Sequence, residues 1–319
     1  SDLQPDWIWG TLRDEDGGAR WIFDSTRGTT KRLKTNDSTE EQVRSGVTAF
    51  NSDGFTVGSH SDSNLNAKSL VAWQWVANGG TTTSQTGADI NSVTQASTTA
   101  GFSIVTYTGD GNTSQTVKHG LGGVPEAILM KNRERSSQWE SYFAPVGNSH
   151  IMELSTTAAK QDTDNFGNTD PTSTVFTVDS GANNANASGE DIVAYCFRSI
   201  QGYSKIGSYT GNGNANGPFV YTGFKPAWIM IKRTDSADDW KINDVARDIN
   251  STYGNDASLH ANENIAETTS ASFNVDFLSN GFKLRSADAG NNASGGTYIY
   301  MTFAEHPFVS SKGVPVTAR

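Results

Sequence analysis

The chain has 319 residues, enough for two or three domains that each bury a core of their own. Charged residues make up only 18% and hydrophobic ones 35%, and the Gly, Ser, Thr and Asn that fill the gap starve helices and favour short strands joined by turns. A net charge of −10 argues against nucleic acid or an anionic membrane as partner, the single cysteine, Cys196, rules out a disulfide scaffold, and eight Trp argue against wholesale disorder.

Taken in chain order, the elements recur. Pro5-Asp6-Trp7-Ile8-Trp9 opens an aromatic strand, and Trp21 follows about fifteen residues on. Ser38-Thr39-Glu40-Glu41 fits a capping box and predicts one short helix before Gly46. Gly54-Phe55-Thr56-Val57 predicts a Phe-led strand, and Leu70-Val71-Ala72-Trp73-Gln74-Trp75 a closing strand. Residues 78–100 hold almost no large apolar side chain and read as a Gly/Ser/Thr-rich linker or surface loop.

The same series then returns twice. Val105 to Gly111 and Gly207 to Gly213 predict opening strands that the first series lacks. Pro125 to Lys131 and Pro226 to Lys232 repeat the aromatic strand, with Trp139 and Trp240 behind them. Val175 to Val178 and Gly281 to Leu284 repeat the Phe-led strand, and Ile192 to Phe197 and Tyr298 to Phe303 the closing one. From the leading Phe to the closing aromatic is 20, 21 and 21 residues. Such agreement reads as three diverged copies of one module.

The expected fold is all-β, in tandem β-sandwich modules of jelly-roll or lectin-like topology. The boundaries are 1–77 for the first module, 101–200 for the second, and 201–319 for the third with a C-terminal tail. Val71, Trp73 and Trp75 share one face of the closing strand, with Gln74, Cys196 and Thr302 opposite, so the Trp face is expected to look into the sandwich. The short joint Ser199-Ile200-Gln201-Gly202 predicts that modules two and three pack rigidly while the first pivots. Either the first copy lacks its opening strand or the third lacks its closing one. An open sheet edge is an aggregation liability, so upstream chain, a neighbouring copy or another subunit is expected to fill it. The abrupt start at Ser1-Asp2-Leu3 reads as a fragment or a processed product.

Chemistry is sparse. His60, His119, His150, His260 and His306 form no metalloprotease motif, and no nucleophile elbow occurs. Glu126, Glu140 and Glu153 are candidates for paired-carboxylate glycoside hydrolysis, but they belong to one copy only and read better as solvated surface acids. Gly109-Asp110-Gly111-Asn112 and Gly211-Asn212-Gly213-Asn214 lack the alternating carboxylates of a calcium loop and read as tight hairpin turns. Oxygen-rich segments at Asp62–Asn66, Asn183–Asn186 and Asn291–Asn292 give weak support for calcium. Trp21, Trp139 and Trp240 fit sugar-stacking platforms, yet recurrence in every copy favours core. No catalytic, cofactor or metal residue is therefore assigned, and the ligand-binding residues stay unknown. Binding is expected in the loops where the copies differ: Arg13–Ala19, Asn132–Ser137, Thr163–Thr172 and Asn243–Asn264.

His119-Gly120-Leu121-Gly122 with Val124-Pro125 and Lys131-Asn132-Arg133, then Gly202-Tyr203-Ser204-Lys205, Gly207 to Gly213, Gly223-Phe224-Lys225-Pro226-Ala227 and Met301 to Phe308 resemble a repeat of virion proteins of tailed bacteriophages, many of them marine. The likeness is strong from Phe102 onward and looser before it. It implies a non-enzymatic virion component on the tail or capsid surface, a tail fibre or spike that meets host glycan. It also implies a homo-oligomer, as a trimer, and other virion proteins as partners. A purely structural spacer, collar or decoration protein is the alternative reading, and a polysaccharide depolymerase the second.

Overall fold

The computed structural model describes residues 3–180, 184–247 and 257–305. The chain is all-β, in antiparallel sheets that pair as sandwiches. One sheet runs in the order Gln42–Val43, Lys31–Lys34, Trp21–Asp24, Trp7–Leu12, Leu70–Trp75. A second runs Gln161–Asp162, His150–Glu153, Glu140–Phe143, Ala127–Asn132, Asp191–Phe197, Phe102–Thr108. A third runs Thr268–Thr269, Ala257–His260, Lys241–Asp244, Pro226–Arg233, Thr297–Ala304, Ser204–Thr210. The three follow one strand order, and the first stops one strand short.

Smaller sheets cover these: Val47–Asn51 with Gly54–Val57, Gln115–Lys118 with Val175–Val178, and Val275–Leu278 with Gly281–Leu284 and Phe219–Tyr221. In the second sandwich Ile192, Ala194 and Cys196 meet Val117, Phe176 and Val178. In the third, Tyr298 and Tyr300 meet Phe282 and Leu284, and in the first, Leu70 and Ala72 lie against Trp21, Phe23 and Val47. The face looking into the sandwich is thus the one opposite Trp73 and Trp75, which corrects the face expected from the sequence. Both faces of Ile192–Phe197 are buried, so alternation could not tell them apart. The other face makes a second core in which Trp7 lies 4.6 Å from Trp75, 5.1 Å from Tyr195 and 5.7 Å from Phe102, ring centre to ring centre.

The chain divides into two compact units, Ser1–Thr156 with Gln161–Arg198 and Asn262–Ala266, and Thr157–Lys160 with Ser199–Ala261 and Glu267–Arg319. The first and second repeats share a unit, against the expected pivot of the first. Residues 78–100 are not a linker either. Thr83–Gln85 and Ser92–Ser97 add two strands to the second sheet, beside Phe102–Thr108. Asp6 anchors the way in, its carboxylate accepting the N–H groups of Ala77, Gly79 and Gly80 at 2.8 Å each. Composition misled here because the buried side chains of this strand are Ser92, Thr94 and Gln95, while Val93 is exposed.

Neither unit is a single run of sequence. In the first, Asn264 accepts from the N–H of Gly17 at 2.6 Å, and the Ala266 N–H donates to Asp16 at 2.7 Å. In the second, Lys160 N–H donates to Thr234 and Asp238 N–H to Thr157, both at 2.9 Å, and the buried Lys232 ammonium reaches Thr157 at 3.2 Å. Ser38–Glu41 is held in the same way within the first unit. Glu41 N–H donates to Arg133 at 2.9 Å, Ser38 accepts from Ser137 at 2.8 Å, and Lys131 Nζ caps Ser38 at 3.1 Å. The capping-box helix expected there does not form; those backbone groups are taken by the loop after strand Ala127–Asn132.

Candidate functional site

An open groove of about 390 Å³ lies in the first unit. One wall is Ser84, Gln85 and Thr86, the floor Ser92, Thr106 and Thr108, and the far rim Arg133 and Asp191. Period-two geometry aims the Thr106 and Thr108 side chains to one face of their strand, the face opposite Val105 and Tyr107, which enter the sandwich core. Arg133 is fixed from behind, its Nε and Nη2 donating to Glu41 at 2.9 and 3.0 Å. Burial opposes the ionised form of Glu41, but Arg133 and then Arg27 hold the carboxyl down to about 2. In front, Nη1 of Arg133 meets Asp191 at 3.4 Å, and Asp191 accepts from Thr108 at 2.8 Å. The lining sets hydroxyls, amides, one fixed guanidinium and one half-exposed carboxylate beside Val93 and Tyr107, a set that offers both hydrogen bonds and apolar contact.

Of the four forecast loops, Asn132–Ser137 supplies Arg133 to this groove. It also seats Ser38–Glu41, and Arg13–Ala19 seats Asn264 and Ala266, so both are partly covered by chain of the same unit. Thr163–Thr172 anchors Phe166 in the core and turns Asn168 to Asp170 outward, with Asn148 Nδ2 on Asp170 at 2.9 Å. Asn243–Asn264 runs through strand Ala257–His260, and its residues 248–256 lie outside the described residues, as do Asn183 and His306. The groove wall at 84–86 was not forecast, since nothing in that composition marks a strand.

Trp21, Trp139 and Trp240 are buried, so none offers a sugar platform. Trp139 Nε1 donates to Lys34 at 2.6 Å and Trp21 Nε1 to Asp62 at 3.0 Å. Glu140 is not a surface acid. It is 6% exposed beside Asn184, which donates at 2.7 Å, and it faces Glu153 across the strand pair. Burial first, and Glu153 after it, push its carboxyl up to about 7 against the pull of Asn184 and Asn165. Glu126 precedes the neighbouring strand, its N–H on Phe197 at 2.7 Å. His119 is fully buried, accepting from Leu121 N–H at 3.2 Å, and burial lowers its pKa. Burial pushes the Cys196 thiol far up, which keeps it unreactive.

The glycine corners are not hairpin turns. Gly109–Asn112 and Gly211–Asn214 carry the chain from one sheet to the other, and a buried asparagine clamps each. Asn186 and Asn292 thereby spend on protein the oxygens that the sequence offered to calcium: Oδ1 accepts from Asp110 N–H at 2.9 Å and from Asn212 N–H at 2.8 Å.

Residues 1–307 match the domain of unknown function DUF7483. The chain belongs to that family. No curated protein and no solved structure matches the chain. Its fold is therefore described by its own geometry: antiparallel sheets paired as sandwiches, a second aromatic core around Trp7 in the first unit, and a groove over the edge strands of the widest sheet.

Proposed function

We propose that this DUF7483 chain is a non-enzymatic virion surface protein, a tail fibre, spike or capsid fibre that holds host glycan. The groove carries the reading. Sugars are recognised by hydroxyl, amide and guanidinium groups, and Gln85, Thr108, Asp191 and the braced Arg133 supply these groups to the lining. The sequence likeness to tailed-phage virion repeats is what supports a place on the particle. Self-assembly, as a trimer, would multiply weak sites into tight attachment. A glycan array probed with the intact chain, and with Gln85→Ala and Asp191→Ala, tests it: binding by the parent that both variants lose is expected. Binding by none sinks the adhesive reading.

A structural spacer or decoration protein is the second reading. Its support is that two loops in which the repeats differ, Arg13–Ala19 and Asn132–Ser137, are engaged by chain of the same unit. Locating the protein in an intact particle separates the two, since a tip position favours attachment and a shaft or shell position favours spacing.

A further inference from the structure

Two opening strands end in a lock made the same way twice. Phe102–Thr108 pairs along Asp191–Phe197, and Ser204–Thr210 along Thr297–Ala304. Near the end of each, a Tyr hydroxyl donates to a turn carbonyl at 2.6 Å, Tyr107 to Ala185 and Tyr209 to Asn291. The next residue of that turn, Asn186 or Asn292, takes the corner. Its Oδ1 accepts from the residue between the two glycines, and its Nδ2 donates at 2.8 Å to Asn112 or Asn214. Its own carbonyl accepts from Gly111 or Gly213 at 3.1 and 2.9 Å. The fit requires glycine, since a Cβ would stand 2.4 Å from Ala187 O at Gly109 and 2.3 Å from Ala293 O at Gly211.

The first sheet carries the receiving half of this lock. Strand register sets Trp75, Phe197 and Phe303 in one place, opposite Trp7, Ala127 and Trp228. Eleven residues before each stands an asparagine: Asn64, Asn186 and Asn292. Asn64 closes the helical turn Ser61–Asn64 as Asn292 closes Ala289–Asn292. Three residues on, Ala67 takes the left-handed backbone, φ 56°, that Gly189 and Gly295 take at 77° and 72°. Those two glycines donate to the corner carbonyls of Gly109 and Gly211 at 2.9 and 3.0 Å. Yet Asn186 and Asn292 are buried, at 1% and 0% exposure, whereas Asn64 is exposed. Leu70–Trp75 is the last strand of its sheet among the described residues, and Leu70, Val71 and Ala72 are only half-buried.

We propose that this edge accepts a donated β-strand of the opening type, alternating apolar residues that end in Tyr-Thr-Gly-(Asp/Asn)-Gly-Asn. It lies antiparallel along Leu70–Trp75, with its glycine corner on Asn64 and its Tyr hydroxyl on the carbonyl of Ser63. The backbone of a polypeptide strand is the ligand, and the two filled locks of the same chain are its template. The inference is independent of the glycan reading.

A peptide of residues 101–113, titrated into the full chain, is the test. Saturable one-to-one binding is expected, with amide hydrogen exchange across Leu70–Trp75 slowed at least tenfold. The peptide carrying alanine for both Gly109 and Gly111 should not bind, and Asn64→Ala, a change at an exposed residue, should weaken the parent peptide about tenfold. Absence of binding overturns the proposal, and so does equal binding of the alanine peptide. Protection of Leu70–Trp75 without peptide, rising with chain concentration, would assign the edge to a second copy and overturn it too.

Discussion

The hydroxyl of Tyr195 donates to Oδ2 of Asp24 at 2.6 Å, joining the closing strand of the second sheet to the hairpin of the first. Arg27, with no exposed side-chain surface, shares that carboxylate at 2.5 Å and reaches Glu41 at 2.8 Å. The third sheet has the same device, with Arg247 on Asp244 at 2.5 Å and on Glu267 at 2.7 Å.

Removing one partner of a buried pair leaves the other charge uncompensated. Asp24→Ala should cost about 3 kcal/mol, since it leaves the buried Arg27 with Glu41 alone and strips Tyr195 of its acceptor, whereas Tyr195→Phe should cost only about 1–2 kcal/mol. Urea denaturation measures both, and losses of equal size would mean that Arg27 is solvated instead.

Two acids pull stability in opposite directions with pH. Glu140 has a folded pKa of about 7, above its ordinary 4.5, so the folded state holds the proton longer. Its contribution is present below pH 4.5 and is lost as pH rises through about 7. Glu41, held to about 2, contributes above pH 4.5 and loses that contribution as pH falls toward 2. Glu140→Gln should therefore gain on the parent by about 3 kcal/mol between pH 4.5 and 7 and hold that gain above. Melting curves across that range decide it, and a pH-independent difference would show that Glu140 is already ionised.

Ala67 holds a left-handed backbone at a place where the other two repeats have glycine. Ala67→Gly should raise stability by about 1 kcal/mol, measured as a shift of the urea midpoint. Gly109→Ala should do the reverse and cost more, about 2–4 kcal/mol, since its Cβ meets the Ala187 carbonyl rather than open space. A neutral Gly109→Ala would mean that the corner yields.

Asp6 accepts three backbone N–H groups and the hydroxyl of Ser25, at 2.7 Å. Asp6→Ala should cost about 3 kcal/mol and raise hydrogen exchange at Ala77, Gly79 and Gly80 first. Unchanged exchange there would show that residues 77–80 are held by something else.

The sequence by itself determined the strands and their recurrence. Phe55, Phe176 and Phe282 lead strands where their spacing put them, and the Pro-led aromatic runs are the central strands, because apolar β-branched and aromatic runs between turn residues have few other ways to bury themselves. Only the tertiary structure decided which face of Leu70–Trp75 looks into the sandwich. In its counterpart Ile192–Phe197 both faces are buried, so polarity carries no sign there. It alone turned 78–100 into strands, since Ser92, Thr94 and Gln95 are buried by hydrogen bonds that composition does not record. It also made Asn186 and Asn292 buried clamps and left Asn64 exposed, with its Nδ2 on the Gly58 carbonyl at 2.9 Å, because a lock has two halves far apart in sequence, and each half alone reads as a turn.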